Sequence, residues 1–124
     1  LKRQKETAEH FLKVKIKVPN FKKIDINLEE IKEIKLGKKL IKVLKSPGHT
    51  PGGLAFLADN LLFSGDTIFA NGMIGNTIFE YSSADDLKKS INNILNLPKD
   101  TIILSGHGEA TSVAEARQYF RVDG

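Results

Sequence analysis

The residues of this chain best suited to chemistry are two histidines and an aspartate, each closing an apolar run and each beside glycine. They lie in Gly48-His49-Thr50-Pro51-Gly52, Ser64-Gly65-Asp66-Thr67 and Ser105-Gly106-His107-Gly108. Glycine beside a histidine lets the backbone turn sharply and approach closely, so an imidazole can point at one spot beyond a sheet edge. Two His and one Asp form a mixed nitrogen and oxygen ligand set suited to zinc or iron. Taken singly each signal is weak, because a histidine next to glycine is often a turn residue and an aspartate after Ser-Gly often caps the next segment. Recurrence at three strand ends gives them weight. The sequence contains no cysteine, so disulfides and thiolate ligands are excluded and any metal must be held by histidine and carboxylate.

These residues need strands to carry them, and the sequence supplies the pattern. Residues 31 to 45 read as two β-rich runs around Leu36-Gly37-Lys38, a hairpin turning at the glycine. A second hairpin pairs Gly53 to Ala58 with Leu61 to Gly65 across Asp59-Asn60, whose side chains support tight turns, and its last strand delivers Asp66. Residues 71 to 82 read as a loop. A helix follows: Ser83 and Asp86 form a capping pair, Asp85 and Asp86 suit the helix N-terminus, and Leu87, Ile91, Ile94 and Leu95 share one face before Pro98. Thr101 to Leu104 is a short buried strand leading to His107. A last helix begins at Ser112 with Glu115 in a capping box and presents Val113, Ala116, Tyr119 and Phe120. At the other end, Leu1 to Lys13 reads as a helix with a narrow stripe of Ala8, Phe11 and Leu12, and residues 14 to 18 as an edge strand through Val14, Ile16 and Val18. His10, alone on that helix, is assigned no role.

A length of 124 residues bounds the chain to one domain or part of one, and 40% hydrophobic with 27% charged residues is the balance of a globular protein. No apolar run is long enough to span a membrane and the start lacks a secretory signal, so the expected location is the cytoplasm. The first residue is not methionine, which suggests that the chain begins inside a longer one. The net charge of +4 is uneven, with +8 on residues 1 to 45 and −4 on the remainder. A basic end can attract nucleic acid or another acidic partner. Here the lysines are scattered among apolar residues without an aromatic platform, the pattern of a solvated face, which argues against nucleic acid.

The stretches Ser46-Pro47-Gly48-His49-Thr50-Pro51-Gly52-Gly53 and Leu62-Phe63-Ser64-Gly65-Asp66-Thr67-Ile68-Phe69, and the segment from Leu97-Pro98 through Gly106-His107-Gly108-Glu109-Ala110-Thr111, resemble the C-terminal motifs of metallo-β-lactamase-fold hydrolases. Within that superfamily they look most like the glyoxalase II-like branch, over roughly residues 31 to 120. The resemblance implies that His49 is the third histidine of a first metal site, Asp66 the carboxylate bridging two metals, and His107 the last histidine of a second site. It also implies up to two zinc ions, with iron or manganese as alternatives. The implied reaction is hydrolysis of a small-molecule ester or thioester by a metal-bound hydroxide, with no serine or cysteine nucleophile. The lack of cysteine argues against antibiotic hydrolysis as the native activity. A persulfide dioxygenase with a single iron, and a non-enzymatic module binding through the basic N-terminal region, are the competing readings.

The H-x-H-x-D-H motif expected of the family is absent, so at most two protein ligands remain for each metal where a catalytic zinc usually has three plus water. The implied fold is therefore half of an αββα sandwich, one mixed sheet with helices on one face. The 124 residues would form its C-terminal half and be inactive alone. The uncovered sheet face would seek the missing N-terminal half or a second copy. Gly75-Asn76 stands where relatives often have Gly-Arg, and Ser105 where a proline is common; neither is expected to touch a ligand. The chain ends soon after its last helix, which leaves glutathione specificity unsupported.

Overall fold

Alternating apolar residues between two turn signals build the first half of the sheet. The computed structural model describes residues 2–15, 17, 19 and 23–121. Strands β1 (Glu33–Leu36) and β2 (Lys39–Lys45) form an antiparallel hairpin, and β3 (Leu54–Ala58) and β4 (Leu61–Gly65) form a second. Asp59 sits in the left-handed region, φ 52°, at the second turn, a conformation that aspartate tolerates better than most side chains. Between the hairpins, β2 pairs antiparallel with β3.

Helix α2 (Ala84–Leu95) then crosses the sheet and returns the chain as β5 (Ile102–Ser105), parallel to β4. Ser83 Oγ accepts from Asp86 N, and Asp85 and Asp86 occupy the first turn, where negative charge is favourable. A two-residue strand, β6 (Thr111–Ser112), pairs antiparallel with β5 and completes a mixed six-stranded sheet in the order β1-β2-β3-β4-β5-β6. Helix α3 (Val113–Ala116) starts in a complete capping box between Ser112 and Glu115. It is shorter than the apolar spacing predicts. Val113 and Ala116 are buried and Phe120 packs partly buried against the core, while Tyr119 is 56% exposed.

One face of the sheet carries the core. The row Leu57, Leu62, Ile103 and Thr111 runs across β3 to β6, and Leu62 and Ile103 are fully buried beneath Leu87, Ile91, Ile94 and Leu95 of α2 with Val113 and Ala116 of α3. The opposite row is Val43, Phe56, Phe63 and Leu104. On that side Phe63 is 46% and Leu61 38% exposed. The sheet is therefore dry on the α2 and α3 side, whereas the other side is buried at Val43 and exposed at Leu61 and Phe63.

Helix α1 (Lys2–Leu12) forms as its charge and apolar spacing predict. Its apolar stripe is barely used: Phe11 and Leu12 are more than half exposed, and Phe11 meets the body of the protein edge-on at Phe79, ring centroids 5.8 Å apart. The expected edge strand rests on Ile16 and Val18, which lie outside the described residues; Val14 is in a bend. No helix among the described residues is long and apolar enough to cross a membrane.

The two faces respond differently to truncation. In the 124-residue chain, Ile103→Ala lowers stability by about 2–5 kcal/mol through transfer and cavity terms, whereas Phe63→Ala costs less than half as much. Urea denaturation of both variants checks this, and equal losses would mean that the second face is covered.

Candidate metal centre

The three strand ends singled out in the sequence meet at one place. Asp66 follows β4, and His107 follows β5, two residues past Ser105. The parallel pair is tied at its end by Gly106 N donating to Gly65 O at 2.8 Å, so the two strands release Asp66 and His107 side by side. His49 arrives from the loop after β2. That loop is fastened to the start of α2: Ser83 N donates to Gly48 O at 2.8 Å, Ser82 Oγ to His49 O at 2.9 Å and Ser90 Oγ to Pro47 O at 2.7 Å.

Asp66 lies between the histidines and offers one oxygen to each. Its Oδ1 is 3.4 Å from His107 Nε2 and its Oδ2 is 3.7 Å from His49 Nε2. Both exceed a direct N–H···O hydrogen bond. Two ligand atoms each about 2.1 Å from a tetrahedral zinc stand about 3.4 Å apart, so the His107 pair has the spacing of two donors on one ion and the His49 pair is slightly wider. A carboxylate using both oxygens in this way can serve two metals about 3.5–4 Å apart. Among the described residues no group of three or more His, Asp and Glu can hold a metal ion by itself. The arrangement fits two half-sites sharing Asp66, each needing further donors.

Tautomer and packing both serve this geometry. His49 Nδ1 is 2.8 Å from Asn76 O. A carbonyl can only accept, so in the neutral ring Nδ1 carries the proton and Nε2 keeps its lone pair on the Asp66 side, the arrangement that fixes metal-binding histidines. Two glycines leave room for the site. A Cβ at Gly106 would overlap Asp66 Oδ1, and one at Gly75 would overlap the Asp66 carbonyl and press on His49 Cβ. Beneath the site, Ser46 Oγ and Thr67 Oγ1 are buried and hydrogen-bonded at 2.7 Å, and Ser64 Oγ donates to Ile68 O.

Exposure is graded across the site, with His49 24%, Asp66 34% and His107 77% exposed. Phe79 flanks His49, ring centroids 6.5 Å apart, and stacks on Tyr81; Phe69 flanks His107 at 6.3 Å. A cavity of about 880 Å³ between β2 and α2 touches none of the three residues.

The two departures judged silent in the sequence both touch the histidines. Asn76 takes part through its backbone carbonyl, which leaves no trace in residue type. Ser105 Oγ donates to His107 O at 2.9 Å, a bond that proline at this position could not make. Ser82 and Ser90, also outside the sequence reading, act on the His49 loop through its carbonyls.

The family model of the metallo-beta-lactamase superfamily matches residues 2–107; the chain belongs to that superfamily. It is 35% identical over 91 residues to the hydroxyacylglutathione hydrolase of Hamiltonella defensa, covering 73% of this chain and 35% of that protein. Among solved structures, the BLEG-1 B3 metallo-beta-lactamase superposes with a TM-score of 0.79 at 31% identity, over 90% of this chain and 54% of that one. TTHA1623 in a di-iron-bound form superposes with a TM-score of 0.70 at 25% identity, over 90% and 54%. The chain spans between 25% and 46% of the length of the curated relatives it matches.

The tautomer is directly observable. Long-range proton–nitrogen NMR of the neutral His49 ring is expected to show the Nδ1–H form; an Nε2–H ring would break the contact with Asn76 and remove the lone pair from the Asp66 side.

Proposed function

We propose that this chain supplies one half of a two-metal hydrolase centre, with His49 and Asp66 serving one ion and Asp66 and His107 the other, and that the whole protein cleaves a thioester or ester. The observation that carries the reading is the placement of Asp66, one oxygen toward each histidine at 3.7 and 3.4 Å. A bound metal would supply Lewis acidity toward a carbonyl oxygen and a low pKa for water. In the reaction, water oxygen bonds to the acyl carbon and the carbon–sulfur or carbon–oxygen bond breaks. The thiol or alcohol leaves with one proton of the water and the acid retains the remaining atoms.

The chain's own side chains do the positioning. His49 is locked by Asn76 O with the Nε2 lone pair left for a metal, Asp66 is seated against Gly106 and Gly75, and His107 stands at the exposed rim nearest to an incoming substrate. Phe79 with Tyr81 and Phe69 wall the two sides. A serine-nucleophile mechanism finds no support, because Ser46 and Ser64 are buried and their hydroxyls are engaged with Thr67 and with the carbonyl of Ile68. A second copy or the N-terminal half of the fold would bring the remaining donors. The hydroxyacylglutathione hydrolase among the relatives makes thioesters the first substrates to assay.

The test uses the full-length protein loaded with zinc, iron or manganese in turn. Asp66→Asn and His107→Ala are each expected to lower thioester kcat/KM by more than about 100-fold, the upper end of what loss of a group behind a ligand costs, and to release metal. Retained metal and retained hydrolysis in Asp66→Asn would sink the reading. Hydrolysis of a β-lactam in place of thioesters would reassign the substrate and leave the centre standing.

A further inference from the structure

Beside His107, on the side away from His49, Phe69, Ala70, Met73 and Ile74 line a cavity of about 410 Å³, within the roughly 300–1,000 Å³ typical of small-molecule sites. Its apolar wall is held in place from both ends. Ile74 bridges to Ile68, Phe69 N donates to Met73 O at 2.8 Å, and Gly75 N donates to Thr67 O at 3.2 Å, so the loop folds back on the segment that carries Asp66. Met73 is nonetheless 60% and Ile74 45% exposed. Apolar side chains pinned open to solvent beside polar reactive groups are what a ligand-binding surface presents.

The charge of the lining narrows the ligand. Among the described residues no lysine or arginine lines the cavity, and the one carboxylate that does is Glu109. A negative charge on the ligand would find no partner there and would face Glu109, whereas methylene groups would be covered by Phe69, Met73 and Ile74. The cavity shares His107 with the candidate centre, and the Phe69 ring tilts at 38° to the imidazole with centroids 6.3 Å apart. A chain lying along Phe69 and Met73 would therefore end beside Asp66.

We propose that this cavity is the acyl subsite and that it selects neutral, apolar acyl groups of medium length over short, polar or anionic ones. The inference rests on the hydrolase reading above for the bond that is cleaved, and on the cavity alone for the group that is bound. Each methylene buried in it is expected to raise kcat/KM by about fourfold until the cavity is filled.

The experiment has a binding arm and a kinetic arm, both on the full-length, metal-loaded protein. Its methionine methyls are labelled with carbon-13 and the Met73 resonance is assigned by Met73→Leu. Octanoate is expected to shift that resonance saturably, while acetate and octanedioate do not. In the kinetic arm, octanoyl thioester is expected to exceed acetyl thioester at least tenfold in kcat/KM, and Met73→Glu, at an exposed position that tolerates polarity, is expected to collapse that ratio toward one. An unmoved Met73 resonance with octanoate overturns the proposal, as does an acyl preference that survives Met73→Glu. A shift with octanoate in a protein that hydrolyses no thioester would uphold the cavity as an apolar-chain site and refute the hydrolase reading instead.

Discussion

The site depends on one constraint, the parallel pairing of β4 with β5. Parallel neighbours cannot be joined by a tight turn, so the chain must leave the sheet and return by a crossover, and α2 is that crossover. The pairing puts the ends of both strands at the same edge, tied by the bond from Gly106 N to Gly65 O. Everything polar at the site follows from that edge. Asp66 and His107 emerge together because their strands end together, and His49 joins them because its loop is stitched to the lead-in of the same helix by Ser82 and Ser83 and to its middle by Ser90. The crossover that buries the core through Leu87, Ile91, Ile94 and Leu95 thus also aligns the reactive edge.

Much of this was legible in the residues, for reasons that can be named. Both hairpins announce themselves through turn chemistry at Gly37 and at Asp59-Asn60, and α2 through its capping serine and a four-residue apolar face. The convergence of His49, Asp66 and His107 is readable from glycine-flanked polar residues at strand ends, and the structure brings both histidines within 3.7 Å of Asp66. What stayed hidden was carried by backbone or by very short elements. Two residues of β6 give no periodicity to detect. Helix α3 has apolar spacing beyond its end at Ala116, where Phe120 still packs against the core but Tyr119 does not. The Asn76 carbonyl that orients His49 would be supplied by almost any residue, and the Ser105 bond to the His107 loop became visible only once the loop had a shape.

The one-sided burial of the sheet and the incomplete donor set have a common geometry. The face that is not packed by α2 and α3 presents Leu61 and Phe63 to solvent, and it borders the edge where Asp66 offers an oxygen to each histidine. Under the proposed reading, one histidine on each side of a shared carboxylate gives each ion two donors, against a usual requirement of three plus water, at the same edge where the sheet leaves apolar surface exposed. A single partner element spanning the open face would meet both needs, which is how a fold divided across its centre can place a metal site on the dividing line.

The central claim is that the His49, Asp66 and His107 edge is half of a metal centre, and metal retention against a competing chelator tests it most directly. Zinc bound to the chain alone is expected to be surrendered to a mild chelator. Zinc added with a separately made N-terminal half bearing the H-x-H-x-D-H segment is expected to be retained, and retention is expected to vanish with Asp66→Asn. Equal retention by the Asp66→Asn mixture, or none by the unmodified mixture, would contradict the account and leave the three residues as structural turns at the end of a sheet.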